Sequence, residues 1–253
     1  MSYFKPFAIT TSFIFFAYSG IVLAEDDMHN SHHVVPQGNS QVELSVDLGW
    51  ESKYVSEGRD NLDSGGIYWS GIAAQYQDVN AYARVGSADS EHYTEWQLGL
   101  EYCITLSDNF EAAIGYQRLE FYGDERASDN ELFSSITYSG IEWLTPSINY
   151  TYSTEAGGYF IELSLHSSWD LSKAWNVAPY LTQGIDYQYV TKTHNGRNNL
   201  QFGVESAYAL TPTLNISGHV SQSIAQQDIE REVGYSSSKL NETFAGVSIN
   251  WLF

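Results

Sequence analysis

Apolar and polar positions alternate with a period of two through most of the chain. In the first such run Val42, Leu44, Val46, Leu48 and Trp50 are interleaved with Glu43, Ser45, Asp47, Gly49 and Glu51. An extended backbone turns successive side chains to opposite faces, so this run predicts a strand with one apolar and one acidic face. The pattern returns in Trp96, Leu98, Leu100, Tyr102 and Ile104 against Glu95, Gln97, Gly99, Glu101 and Cys103, and in Tyr159, Ile161, Leu163 and Leu165 against Phe160, Glu162, Ser164 and His166. Two later runs set Leu200, Phe202 and Val204 against Gln201, Gly203 and Glu205, and Ile216, Val220 and Ile224 against Ser217, His219 and Ser221.

Counted this way the chain holds about twelve strands, near 42–55, 66–76, 79–86, 93–106, 110–122, 131–139, 145–153, 158–171, 176–190, 199–210, 214–225 and 243–253, with ten or fourteen as alternatives. Short turns such as Gln77-Asp78, Ser107-Asp108-Asn109, Ser172-Lys173-Ala174 and Thr211-Pro212-Thr213 interleave with longer loops at 59–65, 87–92, 123–130, 191–198 and 226–242. Turns on one rim and loops on the other describe an all-β, up-and-down antiparallel barrel.

Composition decides which way that barrel faces. Asp plus Glu number 31 against 11 Lys plus Arg, a formal charge of −20, which excludes a nucleic-acid partner held by electrostatics. Aromatics at 15% exclude a disordered acidic tail, and the single cysteine, Cys103, excludes an intramolecular disulfide. The polar faces carry Ser, Gly, Gln, Asn and acids with few bases, which suits a watery lumen better than the mixed charges of a soluble exterior. Strands of about ten residues match a tilted crossing of hydrocarbon. Trp50, Tyr54, Trp96, Tyr152, Trp169, Tyr187 and Tyr208 fall near strand ends, as interfacial girdles require.

The two ends carry addresses. Lys5 precedes a mostly apolar run from Ala8 to Leu23 that ends at Ala24, so residues 1–24 read as a secretory signal peptide. Residues 25–41 form a polar tail, expected in the periplasm, and 42–253 the transmembrane barrel. His29, His32 and His33 beside Asp26 and Asp27 offer imidazoles to zinc or copper. A flexible tail gives up its freedom on binding, so neither a metal site nor any cofactor is expected. At the other end Thr243, Ala245, Val247, Ile249, Trp251 and Phe253 share one face, and Phe253 is the last residue. This strand resembles the insertion signal of bacterial outer-membrane barrels. The resemblance implies recognition by the barrel-assembly machinery and residence among outer-membrane lipid and lipopolysaccharide. Ser52-Lys53-Tyr54-Val55-Ser56-Glu57-Gly58-Arg59, followed by Gly65-Gly66-Ile67 and Tyr82, resembles the opening of the TorF family of porins, which often has Arg where Glu57 stands.

The inward face then collects Glu43, Asp47, Glu51, Glu95, Glu101, Glu111, Glu162, Asp170, Asp186 and Glu205, with Lys53, Arg84, His166 and His219 as counter-charges. Unpaired carboxylates do not stay ionised in a dry core, so the lumen is expected to be hydrated. Twelve tilted strands give a backbone radius of roughly 12 Å. Together these predict a narrow, cation-preferring channel for small ions or solutes. The alternative is a lumen plugged by inward Tyr68, Tyr76, Tyr82 and Tyr180, in a barrel that serves adhesion or envelope structure. A hydrolase is a further alternative. Asn215, Ser217, His219 and Ser221 offer hydroxyl and imidazole, but their phase points inward, whereas outer-membrane phospholipase A holds its His, Ser and Asn on the lipid side. Glu162, His166 and Asp170 are spaced by four, roughly 13 Å between neighbours on a strand, too far for a catalytic dyad. An omptin-like rim set of Asp89, His92, Asp124, Glu125 and His194 shows no motif, and Asp124, Glu125, Asp129 and Glu131 lack the spacing of a calcium loop. No catalysis is expected.

Overall fold

Lipid leaves no water for unpaired backbone groups, so a sheet can cross a membrane only when closed on itself. The computed structural model, which describes residues 42–124 and 126–253, shows such a closure. In chain order the strands are β1 (Glu43–Glu51), β2 (Val55–Ser56), β3 (Arg59–Asp60), β4 (Ile67–Tyr76), β5 (Val79–Ala88), β6 (Thr94–Ser107), β7 (Phe110–Tyr122), β8 (Arg126–Tyr138), β9 (Leu144–Ser153), β10 (Tyr159–Ser167), β11 (Trp169–Ser172), β12 (Trp175–Tyr187), β13 (Asn195–Thr211), β14 (Leu214–Ala225) and β15 (Glu242–Leu252). β11 continues β10 beyond an irregularity at Ser168. β2 and β3 form a separate small hairpin. The other twelve strands make one antiparallel barrel, closed on one side by β1 against β15 and on the other by β10 against β12, from Tyr159 opposite Tyr187 to His166 opposite Tyr180.

The period-two pattern sets the faces as expected. Leu44, Leu48, Leu98, Leu100, Leu163, Leu165, Phe202, Val204 and Val220 lie exposed on the exterior, where a bilayer covers them. Trp143, Trp169, Trp175, Tyr208 and Trp251 girdle the rim that carries the short turns and the chain end. Tyr159 stacks on Tyr187 near the opposite rim, with ring centroids 4.6 Å apart.

Three expectations need correction. Tyr68 and Tyr76 are 57% and 46% exposed on the exterior, not inside. Tyr68 pairs with the outward Trp50, and the inward places on β4 go to Ile67 and Trp69, so a strand apolar on both faces hid its phase. Tyr54 is no girdle residue; it is 3% exposed and packs with Leu62, Ile67 and Trp69 inside the barrel mouth. The loop expected at 123–130 is shorter, because β8 begins at Arg126. Its first outward residues, Arg126, Ser128 and Asn130, are polar, since a strand that rises above the hydrocarbon no longer needs an apolar exterior. The signal peptide, the tail with His29, His32 and His33, and Glu125 lie outside the described residues.

Close inward approach fixes one glycine. A Cβ on Gly99 would stand 2.0 Å from the Tyr82 ring, which crosses the lumen wall there. Gly99→Val is expected to destabilise the barrel by about 1–3 kcal/mol through overpacking, seen as a lower temperature for the loss of fast, heat-sensitive gel migration.

Candidate functional site

The candidate site is the lumen, and its outer third is filled by the loops. The turn joining β2 to β3 has φ of 42° at Glu57 and 75° at Gly58, the two positive values that a two-residue hairpin of the twist-matched type requires. This hairpin folds inward against β13, with Gly58 seated on Asn199. A helix, α1 (Gln227–Val233), enters from the longest loop and buries Asp228 and Ile229. From a third segment Tyr189 and Val190 pack on Phe160. Arg59 ties these segments together. Its guanidinium donates to Glu232 Oε2 at 2.8 and 3.0 Å, to the Glu57 carbonyl at 2.9 Å, to Asn198 Oδ1 at 2.9 Å and to Thr191 Oγ1 at 3.1 Å, while Asp228 lies 3.9 Å away.

Beneath this plug, carboxylates are satisfied by neutral donors rather than cations. Glu95, fully buried, accepts from Tyr54 Oη at 2.6 Å, Tyr93 Oη at 2.8 Å and Gln97 Nε2 at 2.6 Å. Glu131 accepts from Tyr189 Oη and Gln117 Nε2, both at 2.5 Å, and Gln117 Oε1 accepts from Tyr82 Oη at 2.9 Å. Asp186 accepts the backbone N–H groups of Tyr189 at 2.7 Å and Thr191 at 2.8 Å, which anchors the turn that delivers Tyr189. Asp129 takes the Ser153 hydroxyl and the amide of Glu155. Charge-assisted hydrogen bonds of this kind offset the loss of water around a buried carboxylate.

The lower lumen is more open. Glu43, Asp47, Glu51, Glu101 and Glu162 are half-buried along its wall, and Asp170 is exposed at the rim, where it accepts from Asn176 Nδ2 at 2.8 Å. Arg84 stands 3.8 Å from Asp47 and 4.3 Å from the centroid of the Trp69 ring. His166 stacks on Tyr180 at 5.3 Å, and His219 meets Phe244 edge to face at 5.6 Å. Four Lys or Arg residues lie in the barrel strands: Arg84, Arg118, Arg126 and Arg197. Arg118 pairs with the outward Leu98, Arg126 with Tyr122 and Arg197 with Ile185, so only Arg84 turns inward. Lys53 sits at the mouth, bonded to Glu242 at 2.6 Å, which holds its ammonium above the usual value.

By strand phase the acids expected inside lie on the inward face, where they divide among a packed network, a wetter wall, the exposed ends at Glu111 and Asp170, and Glu205, buried outside the network. Val247, Ile249 and Trp251 share the outward face of β15, Phe253 follows in the same phase just past its end, and the Phe253 amide donates to the Leu44 carbonyl across the seam. The Ser217 hydroxyl bonds Ser248 and Ser221 accepts from Tyr180, and neither serine makes a hydrogen bond to His219. Sequence reading missed Arg59, Gln117 and Asn198 as site residues; it placed Asp129 and Glu131 in a loop cluster without calcium spacing, and Asp228 in the long loop 226–242, expected to dock a ligand or fold into the mouth, where its helix does lie. Inward phase marks Gln117 on β7 and Glu131 at the start of the expected eighth strand, and it marks Asp129 once β8 is extended upstream. Nothing local marks Arg59, whose partners are up to 173 residues away.

Closure, outward apolar face and inward acids define the class: a twelve-stranded outer-membrane β-barrel. The fold is similar to that of the KdgM porin in complex with disordered oligogalacturonate, at a TM-score of 0.57 and 11% identity, over 82% of this chain and 98% of that one. The KdgM porin alone gives 0.56 and 12%, over the same shares. LpxR from Salmonella typhimurium gives 0.51 and 8%, over 83% of this chain and 100% of that one. No protein-family model matches the sequence, and no curated protein does.

Two outcomes follow. Arg59→Ala leaves Asp228 and Glu232 without their cation and is expected to cost about 3–5 kcal/mol locally, read as faster hydrogen exchange across 227–240 and new tryptic cleavage after Arg231 and Lys239. At the rim, Asp89 accepts from the Ser90 hydroxyl, Trp50 Nε1 and the Gly66 amide, which hold its carboxyl below the usual range. The stabilisation is therefore present above the ordinary Asp pKa and is lost as pH falls through the depressed one. Trp50 emission is expected to change only below about pH 3.9, and that step should vanish in Asp89→Asn.

Proposed function

We propose that the chain is a porin-like channel of the outer membrane, with a narrow acidic lumen that prefers cations among small ions and solutes. One observation carries this reading. Along the barrel wall the inward acids Glu43, Asp47, Glu51, Glu101 and Glu205 face a single inward guanidinium, Arg84. Fixed negative charge in a low-dielectric tube raises the local concentration of cations and excludes anions. The same wall argues against a polyanion such as the oligogalacturonate named with the KdgM porin. The likeness of residues 52–67 to the opening of TorF porins supports the channel reading, because those residues build the inward hairpin at the mouth. The outward row ending in Phe253 supports recognition by the assembly machinery, and the exposed apolar belt supports contact with lipid and lipopolysaccharide.

The filled outer mouth favours a second reading, a plugged barrel serving adhesion or envelope structure. In the channel reading the plug is a gate held by Arg59, and ions pass when it loosens. Catalysis is not inferred, although LpxR shares the fold, because neither Ser217, bonded to Ser248, nor Ser221, which accepts from Tyr180, makes a hydrogen bond to His219.

Planar-bilayer recording decides between them. A potassium chloride gradient is expected to give reversal potentials of cation sign. Asp47→Asn with Glu101→Gln should reduce them, and raising salt from 0.1 to 1 M should do the same as the screening length falls from about 10 to about 3 Å. Arg59→Ala should raise the open fraction. Anion selectivity, or silence in both the wild type and Arg59→Ala, would sink the channel.

A further inference from the structure

Midway along β5, Arg84 is the inward guanidinium of the barrel strands, and its contacts leave its hydrogen bonds unmade. It pairs across the sheet with Gly71, which pairs in turn with Asp47, so the two charged side chains flank a position that has none. Asp47 leans over that glycine, where a Cβ would run into its Oδ1. Arg84 Nε stands 3.8 Å from Asp47 Oδ2, close enough for an ion pair and too far for a hydrogen bond. The Trp69 ring, its centroid 4.3 Å from the guanidinium carbon, covers one face of the Arg84 plane.

A guanidinium is always charged and carries five N–H donors in a fixed fork. Arg59 in the plug spends all five on protein acceptors. Arg84 does not: its buried Nε has no partner, and among the described residues Nη1 and Nη2 make no hydrogen bond. Asp47 accepts none there either. The two side chains are 26% and 36% exposed, so fork and carboxylate both open on the lower lumen instead of the packed network. A stacked planar donor and a bare carboxylate thus stand side by side. Simple ions suit this pair poorly. A cation nearing Asp47 meets Arg84, and an anion nearing Arg84 meets Asp47 and Glu51, which lies within electrostatic reach of the guanidinium. A solute that carries both charges on neighbouring groups avoids both penalties. Its carboxylate accepts from the fork in the bidentate geometry that guanidinium favours, and its ammonium donates to Asp47 within the field of Glu51.

We propose that Arg84 and Asp47 form a binding site in the lumen for a small zwitterion of the α-amino acid class, its carboxylate on the Arg84 fork and its ammonium on Asp47. This deepens the channel reading by naming a solute and rests on it for passage, whereas binding does not depend on current. The surplus of acids still sorts ions; the Arg84–Asp47 pair sorts dipolar solutes with no net charge.

Three matched solutes test the site: L-alanine, propionate, which lacks the ammonium, and ethylammonium, which lacks the carboxylate. In saturation-transfer NMR titrations of the full detergent-solubilised barrel, L-alanine is expected to saturate, with each of the other two at least about tenfold weaker, the loss of charge-assisted hydrogen bonds. Arg84→Gln should weaken L-alanine by about tenfold or more and strengthen ethylammonium, because Asp47 is left without its cation. Asp47→Asn should weaken L-alanine to a similar degree and strengthen propionate. These opposite gains are a signature that a loosened wall would not give. Heat-modifiable gel migration verifies that each variant is folded. Should Arg84→Gln not fold, Arg84→Lys keeps the charge without the planar fork, and a several-fold loss of L-alanine binding is expected. L-alanine bound no tighter than the other two, no binding, or unchanged binding in the folded Arg84 and Asp47 variants overturns the site. Cation-selective current without the L-alanine preference would overturn the site alone; L-alanine binding without current would overturn only the channel.

Discussion

Pairing of β10 with β12 is the contact on which the rest depends. Without it a sheet of this width would present two long edges to a solvent that cannot hydrogen-bond them. With it, every strand has two neighbours, the exterior must be apolar, and period-two alternation sends the remaining side chains into one shared interior. The acids are therefore not scattered over a surface where salt and water would mute them. They are gathered on a concave wall where their fields add.

That gathering creates a solvation problem, which the structure meets in two ways. Near the mouth, where loops exclude water, Glu95, Asp129, Glu131 and Asp186 are held by tyrosine, serine and glutamine donors or by backbone amides. Lower down, Glu43, Asp47 and Glu101 keep partial exposure and need fewer partners. Neutral donors leave the network acidic overall, whereas paired arginines would have cancelled the field. Glu205 belongs to neither arrangement, being buried without donors.

Much of this was legible in the sequence because lipid imposes a rule that strands write down residue by residue. β1, β6, β10, β13 and β14 alternate cleanly, and the inward acids on them follow from phase alone. The rule lapses where its cause lapses. At the outer end of β8, Ser128 and Asn130 face headgroups rather than hydrocarbon, so the alternation that would have placed Asp129 inside is not written. On β4, Trp69 packs against Tyr54 inside while Tyr68 lies outside, and aromatic residues on both faces erase the contrast. A long loop folding into the mouth could be read from the chain, but the contacts that hold the plug were illegible for a different reason. They link residues far apart in the chain, and no short pattern encodes that Arg59 meets Asn198 and Glu232.

The separation of those partners has a consequence in time. Arg59 leaves the ribosome long before Asn198 and Glu232, 139 and 173 residues later, and its contacts need β13 and β14 already in place to position both. The mouth can therefore seal only after the wall is nearly complete. Only with the mouth sealed are the carboxylates beneath the plug closed off from water, so their dehydration is tied to the docking of the loops and not to the strand pairing that closes the barrel.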